Sequence, residues 1–133
     1  NNAQLEGQKF DSFLLMFLEY PFVEPNILDD AIQTMAIFDL DSLISVRQDN
    51  SLFFNHDGNG MKAINNQDKF TKMEREAIYK FTAGLMLTKV NLFRSQKTFI
   101  GQRAGHIEVN QKAAMGLYSD FDVKMAKLIA KEE

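Results

Sequence analysis

The sequence predicts an all-α domain of about five helices, and three observations carry that prediction. Apolar residues recur at three- and four-residue spacing through most segments, as they do along one face of a helix. No segment sustains the two-residue alternation of a half-buried strand. Ile78, Leu85, Leu92 and Phe99 repeat at intervals of seven, flanked by Phe81, Met86, Phe93 and Ile100, as in the seam of a long helix. At 133 residues the chain reads as a single domain over 1–133, long enough to bury roughly two-thirds of its unfolded surface without disulfides or metal.

The elements follow in chain order. Phe10, Phe13, Leu14, Phe17 and Leu18 line one face of a first helix over about 4–20, stopped by Pro21, whose ring disfavours helical geometry at Tyr20. Pro25 opens a second helix, because first-turn N–H groups lack intrahelical partners anyway; its buried face is Leu28, Ala31, Ile32 and Met35. Asp39 caps a short third helix carrying Leu40, Leu43 and Ile44. Residues 55–68 collect the densest run of turn formers and make the main loop. Thr71 and Glu74 have the spacing of a capping box, which predicts a long fourth helix over about 72–102 that Gly84 bends and Gly101 or Gly105 ends. A returning helix over about 108–131 carries Ala114, Leu117, Phe121, Met125 and Leu128, with Ser119-x-x-Asp122 after Gly116 as a place for it to divide. The last two helices form a hairpin packed on an N-terminal helical half.

Composition removes several function classes. The chain is 45% hydrophobic and 25% charged, too apolar for a disordered segment. Its longest apolar run, Phe13 to Leu18, falls far short of the roughly 20 residues that span a bilayer, so no membrane role is expected. With no cysteine there is no disulfide, thiol nucleophile or cysteine zinc site, and only His56 and His106 remain for histidine chemistry. The chain opens Asn1-Asn2 without methionine, as a processed or excised product would, and a soluble, cytoplasmic location is the default expectation.

Charge is unevenly laid out. Residues 1–60 hold ten Asp and Glu against two Lys and Arg, an acidic half; residues 61–133 hold thirteen Lys and Arg against eight acids, a basic half. Lys89, Arg94, Lys97 and Arg103 form a basic strip, and Val90 to Ile107 contains no acid. Such a strip attracts phosphate or an acidic partner, or else faces the acidic half of its own domain. Nucleic acid is not indicated, because Phe93 and Phe99 belong to the seven-residue seam and leave the strip without free aromatic rings.

Asn55, Asp57, Asn59 and Gly60 stand at positions 1, 3, 5 and 6 of a loop that resembles the first half of an EF-hand calcium site, with Lys62 and Asn66 departing from the family at positions 8 and 12. The resemblance implies a weak Ca²⁺ site, with Asp68 or Glu74 as the missing acid. Asp57-Gly58-Asn59-Gly60 is also similar to the loop of Fic-type AMP transferases, although Phe53 and Met61 stand where that family has its catalytic His and its Arg. Gly58-x-Gly60-x-x-Ala63 resembles a dinucleotide fingerprint, without a preceding strand. Ala36 to Leu43, with Asp39 and Asp41, resembles the first motif of haloacid-dehalogenase-type phosphatases, which implies Asp39 as nucleophile and Asp41 as general acid at the end of a parallel strand.

The leading expectation is a non-enzymatic helical interaction domain that docks a protein partner, or pairs as a homodimer, through the long hairpin, with Lys89, Arg94, Lys97 and Arg103 as contacts to the partner or to phosphate. A calcium-binding module built on Asn55, Asp57 and Asn59 is the first alternative. An aspartate-nucleophile phosphatase around Asp39 and Asp41 is the second.

Overall fold

The computed structural model describes residues 9–64 and 77–132. Contacts divide the chain into two units, one of Asn1–Arg47 with Phe81–Glu133 and one of Gln48–Lys80. The architecture is mixed α/β, with three helices and two sheets among the described residues, so the all-α expectation is overturned.

The strands are β1 (Ser12–Met16), β2 (Ser42–Asp49), β3 (Phe54–His56), β4 (Met61–Ala63), β5 (Ile78–Lys89) and β6 (Ala104–Glu108). The helices are α1 (Pro25–Ile37), α2 (Val90–Gln96) and α3 (Asp120–Lys131). Four strands form one sheet in the order β1-β5-β2-β6. β1 runs antiparallel to β5 with Ser12 opposite Lys89 and Met16 opposite Leu85, and β2 runs parallel to β6 with Ser42 opposite Ala104. Lys89 N–H donates to the Asp41 carbonyl and Leu85 N–H to Ser45 Oγ, contacts in reverse order that set β2 antiparallel to β5. β1, α1 and β2 therefore make a split β-α-β unit with β5 inserted between its strands.

The first helix expected over 4–20 is, in its described part, β1 and the turn after it. A short continuous apolar run such as Phe13 to Leu18 has no periodicity of its own, so spacing alone cannot separate strand from helix there. The short helix after Asp39 is β2. Its alternation is hidden because Ser42 and Ser45, both fully buried, look like surface residues in the sequence. Ser42 Oγ donates to Asp41 and accepts from Gly101 N–H, while Ser45 Oγ donates to the Thr82 carbonyl and accepts from Leu85 N–H at 3.0 Å. A buried hydroxyl is tolerated when both its roles are filled.

The long helix over 72–102 is absent: its described part is β5 followed by the seven-residue α2, and the capping box at Thr71 lies outside the described residues. β5 is an inner strand, and strands covered on both faces read as near-continuous apolar runs. Ala83 and Gly84 take φ of 61° and 65°, a left-handed pair that no α-helix admits. Gly84 is obligatory twice over, since an added Cβ would lie 2.6 Å from Phe17 Cβ. Ser45 Oγ bonds to groups on either side of the Ala83–Gly84 pair, the Thr82 carbonyl and the Leu85 N–H. The returning helix over 108–131 shrinks to α3, with β6 and an irregular 109–119 segment before it, so no helical hairpin forms. Ser119 Oγ accepts from Asp122 N–H and caps α3, as the Ser119-x-x-Asp122 spacing allows. α1 starts at Pro25 as read from sequence and buries Ala31 and Met35.

The core of this unit lies under α1, where Ala31, Met35, Leu43 and Leu87 pack together with Leu40 and Ile107 at their margin. A second cluster joins Ala83 to Val109 and Ala113, with Val23, Ile27 and Ala114 against it. The other unit holds the β3–β4 hairpin, with Phe54 opposite Ala63 and His56 opposite Met61, closed by the turn 57–60.

Candidate functional site: an aromatic groove with two cations

The end of β5 builds the site. Val90 N–H donates to the Asp11 carbonyl at 2.9 Å, which starts α2 directly beside the beginning of β1. α2 lasts two turns and ends at Lys97, whose left-handed backbone, φ 55°, lets its N–H reach the Phe93 carbonyl and reverses the chain. The reversal carries Phe99 back over α2, and Thr88 Oγ1 fixes it by donating to the Phe99 carbonyl at 2.8 Å.

Three rings meet as a result. Phe13 of β1 stands edge-on to Phe93 at 5.6 Å and to Phe99 at 6.0 Å between centroids, and Phe93 and Phe99 lie tilted at 5.2 Å. Such aromatic pairs each add about 0.5–1.5 kcal/mol beyond their buried area. With Phe10, Ser12 and Val90 they line an open groove of about 550 Å³, and Arg94 and Lys97 complete the lining. Lys97 Nζ lies 5.9 Å from the centre of the Phe93 ring, within cation–π range. Among the described residues neither Arg94 nor Lys97 forms an ion pair. Of the groove's lining, only Ser12, Arg94 and Lys97 carry polar side chains.

The basic strip is thus divided. Lys89 Nζ pairs with Asp39 at 3.1 Å, an exposed contact, and Arg103 donates to the Phe38 carbonyl at 3.2 Å. Both face the turn between α1 and β2. A smaller cleft of about 260 Å³ lies there, lined by Asp39 and Lys89 with Ile32, Met35 and Leu87, and Ser12 borders both clefts.

Asp39 and Asp41 precede β2, at the strand's N-terminal end. Asp39 takes a left-handed backbone, φ 49°, and its hydrogen bond from Lys89 holds its carboxyl below the usual range. At Asp41 burial acts to raise the carboxyl, but the hydrogen bond from Ser42 and the Arg103 N–H outweigh it and leave it lowered. Asp41 thereby ties the start of β2 to the turn before β6, and Gly101 is free of a Cβ where Asp41 fills the space.

Asn55, Asp57 and Asn59 lie on the β3–β4 hairpin. Asp57 Oδ1 accepts from Asn59 and Gly60 N–H groups at 2.9 and 3.1 Å, and its Oδ2 pairs with Lys62 Nζ at 2.6 Å. The Lys62 contact, then the turn amides, hold this carboxyl below its ordinary value. The lysine that departs from the EF-hand pattern therefore occupies the one carboxylate of the loop, while Asn66, Asp68 and Glu74 lie outside the described residues. His56 Nδ1 accepts from Gly58 N–H, and His106 lies in β6 opposite Ile44. Among the described residues no group of three or more His, Cys, Asp or Glu is placed to hold a metal.

Phe10, Ser12, Phe13 and Val90 have no counterpart in the sequence-derived site, and Phe93 and Phe99 belonged there to a core seam. The run Phe93-Arg94-x-x-Lys97-x-Phe99 is the signal, since it alternates rings and cations within seven residues. No protein-family model matches the chain, and no curated protein matches it. No helix among the described residues is long and apolar enough to cross a membrane.

Proposed function

We propose that this protein is a non-enzymatic interaction domain whose aromatic groove docks an acidic, aromatic-bearing segment of a protein partner. One observation carries the reading: Phe10, Phe13, Phe93 and Phe99 share an open groove with Arg94 and Lys97, two cations unpaired among the described residues. Aromatic side chains and arginine are the types enriched in protein interfaces, and a rim of one charge sign selects partners of the other. The lining supplies no acid–base pair for proton transfer. Lys89 and Arg103 are engaged at Asp39 and Phe38, so the cations do not continue as the track a nucleic-acid backbone requires.

The test is fluorescence anisotropy with a labelled nine-residue peptide that alternates glutamate with phenylalanine and valine, against a control with lysine for glutamate. The acidic peptide is expected to bind with micromolar affinity that weakens with salt, and R94E/K97E to weaken it by about tenfold or more. Equal binding of both peptides, or no effect of the double reversal, would remove the groove as the docking site.

A further inference from the structure

The groove opens beside β1, and β1 is the end strand of its sheet. Asp11 accepts from Val90 N–H, and Phe17 N–H donates to the Gly84 carbonyl. In an antiparallel ladder the residues that bond a given neighbour alternate. Odd-numbered residues of β1 thus turn their backbone groups toward β5, and Ser12, Leu14 and Met16 turn theirs outward. Among the described residues nothing bonds that outer row. Natural edge strands are blunted by charge, proline or a bulge, yet Ser12–Met16 contains no charge, proline or glycine, and Leu14, Leu15 and Met16 are exposed. The opposite edge, β6, differs: it carries Glu108.

Resting on the docking reading above, we infer that the partner segment binds as an added strand along the outer edge of β1, its main chain pairing with Ser12, Leu14 and Met16 and its acidic side chain meeting Arg94 and Lys97. Strand addition takes affinity from main-chain hydrogen bonds and specificity from pockets that receive alternate side chains. Both parts are present side by side, because Phe10, Ser12 and Phe13 belong at once to the strand or its approach and to the groove wall. Five residues at about 3.4 Å each give an edge about 17 Å long, enough for a segment of five to seven residues. A second copy of this chain fits less well. Pairing β1 with β1 of another copy would set no carboxylate of that strand opposite Arg94 and Lys97, since Ser12–Met16 has none.

Backbone hydrogen exchange followed by NMR, on the whole chain with and without the acidic nonapeptide, decides the matter. In the free protein the amides of Leu14 and Met16 should exchange fast and those of Phe13 and Leu15 slowly. Saturating peptide should slow Leu14 and Met16 by about tenfold or more. Peptide derivatives N-methylated at successive positions should lose and keep affinity in a period-two pattern. If the peptide binds while Leu14 and Met16 stay fast, strand addition is wrong and groove docking survives. If it does not bind at all, the docking reading itself fails. Protection of Leu14 and Met16 already present in the free protein, whether by a second copy or by another part of the chain, would also overturn the inference.

Discussion

Replacing Ser45 by alanine probes the joint on which the main sheet turns. The Ala83–Gly84 pair puts left-handed backbone in the middle of β5, and Ser45 Oγ bonds on either side of it, accepting from Leu85 N–H at 3.0 Å and donating to the Thr82 carbonyl. Ser45 is 0% exposed. Ser45→Ala removes only one oxygen, but leaves a buried donor and a buried acceptor short of a partner, at about 1–3 kcal/mol for each such group. Partial relaxation of the kink brings the total to about 2–3 kcal/mol. At this chain length one kcal/mol moves the midpoint by roughly 3–5 °C, so thermal unfolding followed by circular dichroism should show Tm lower by about 6–15 °C. Ser45→Thr keeps the hydroxyl and should lose less of the two hydrogen bonds, its added methyl being the remaining cost. A Ser45→Ala protein that melts within about 1 °C of the parent would mean that the kink groups find other partners, and the explanation of the left-handed pair would fall.

Three further outcomes follow from the charges and phenols. Tyr20 and Tyr118 share a hydrogen bond of 2.6 Å between their hydroxyls, and that bond, with burial, pushes Tyr118 up to about 12. A folded value above the unfolded one gives stability that is complete below the ordinary value of 10.0 and lost as pH rises toward 12; phenolate absorbance should show one late-titrating tyrosine that Tyr20→Phe brings back toward 10. Asp39, Asp41 and Asp57 have folded values below 3.8, so the unfolded chain binds more protons and stability falls as pH drops below that value; urea unfolding of Asp41→Asn should show a shallower acid-side slope than the parent. Because both Asp57 oxygens are committed to Asn59, Gly60 and Lys62, melts in EDTA and in several millimolar calcium should coincide, and a calcium-selective rise of several degrees would revive the hairpin as a metal site.

Local signals in the sequence were legible and pairing across the sheet was not. Pro25 marks the start of α1 and Ser119 the cap of α3, because a helix end is decided by neighbours within one turn. Of the loop read over 55–68, turn formers mark only the turn 57–60, because Phe54–His56 and Met61–Ala63 pair as strands on either side of it. β5 was not, because an inner strand loses alternation, and Ile78, Leu85 and Leu92 happen to fall at heptad spacing. β2 was hidden by Ser42 and Ser45, whose burial depends on partners about 40 to 60 residues away in Leu85 and Gly101. The site was half legible. Charge alone drew out Lys89, Arg94, Lys97 and Arg103 together, and the division of that strip needs the fold, since Asp39 and the Phe38 carbonyl engage Lys89 and Arg103 only after α1 has set its final turn beside β5 and the turn before β6.

Amide chemical-shift mapping with the acidic nonapeptide tests groove docking most directly. Docking there predicts shifts concentrated at residues 10–16 and 90–99, saturating together and needing about tenfold or more peptide in R94E/K97E. Shifts centred instead on the β3–β4 hairpin or on α3 would contradict it.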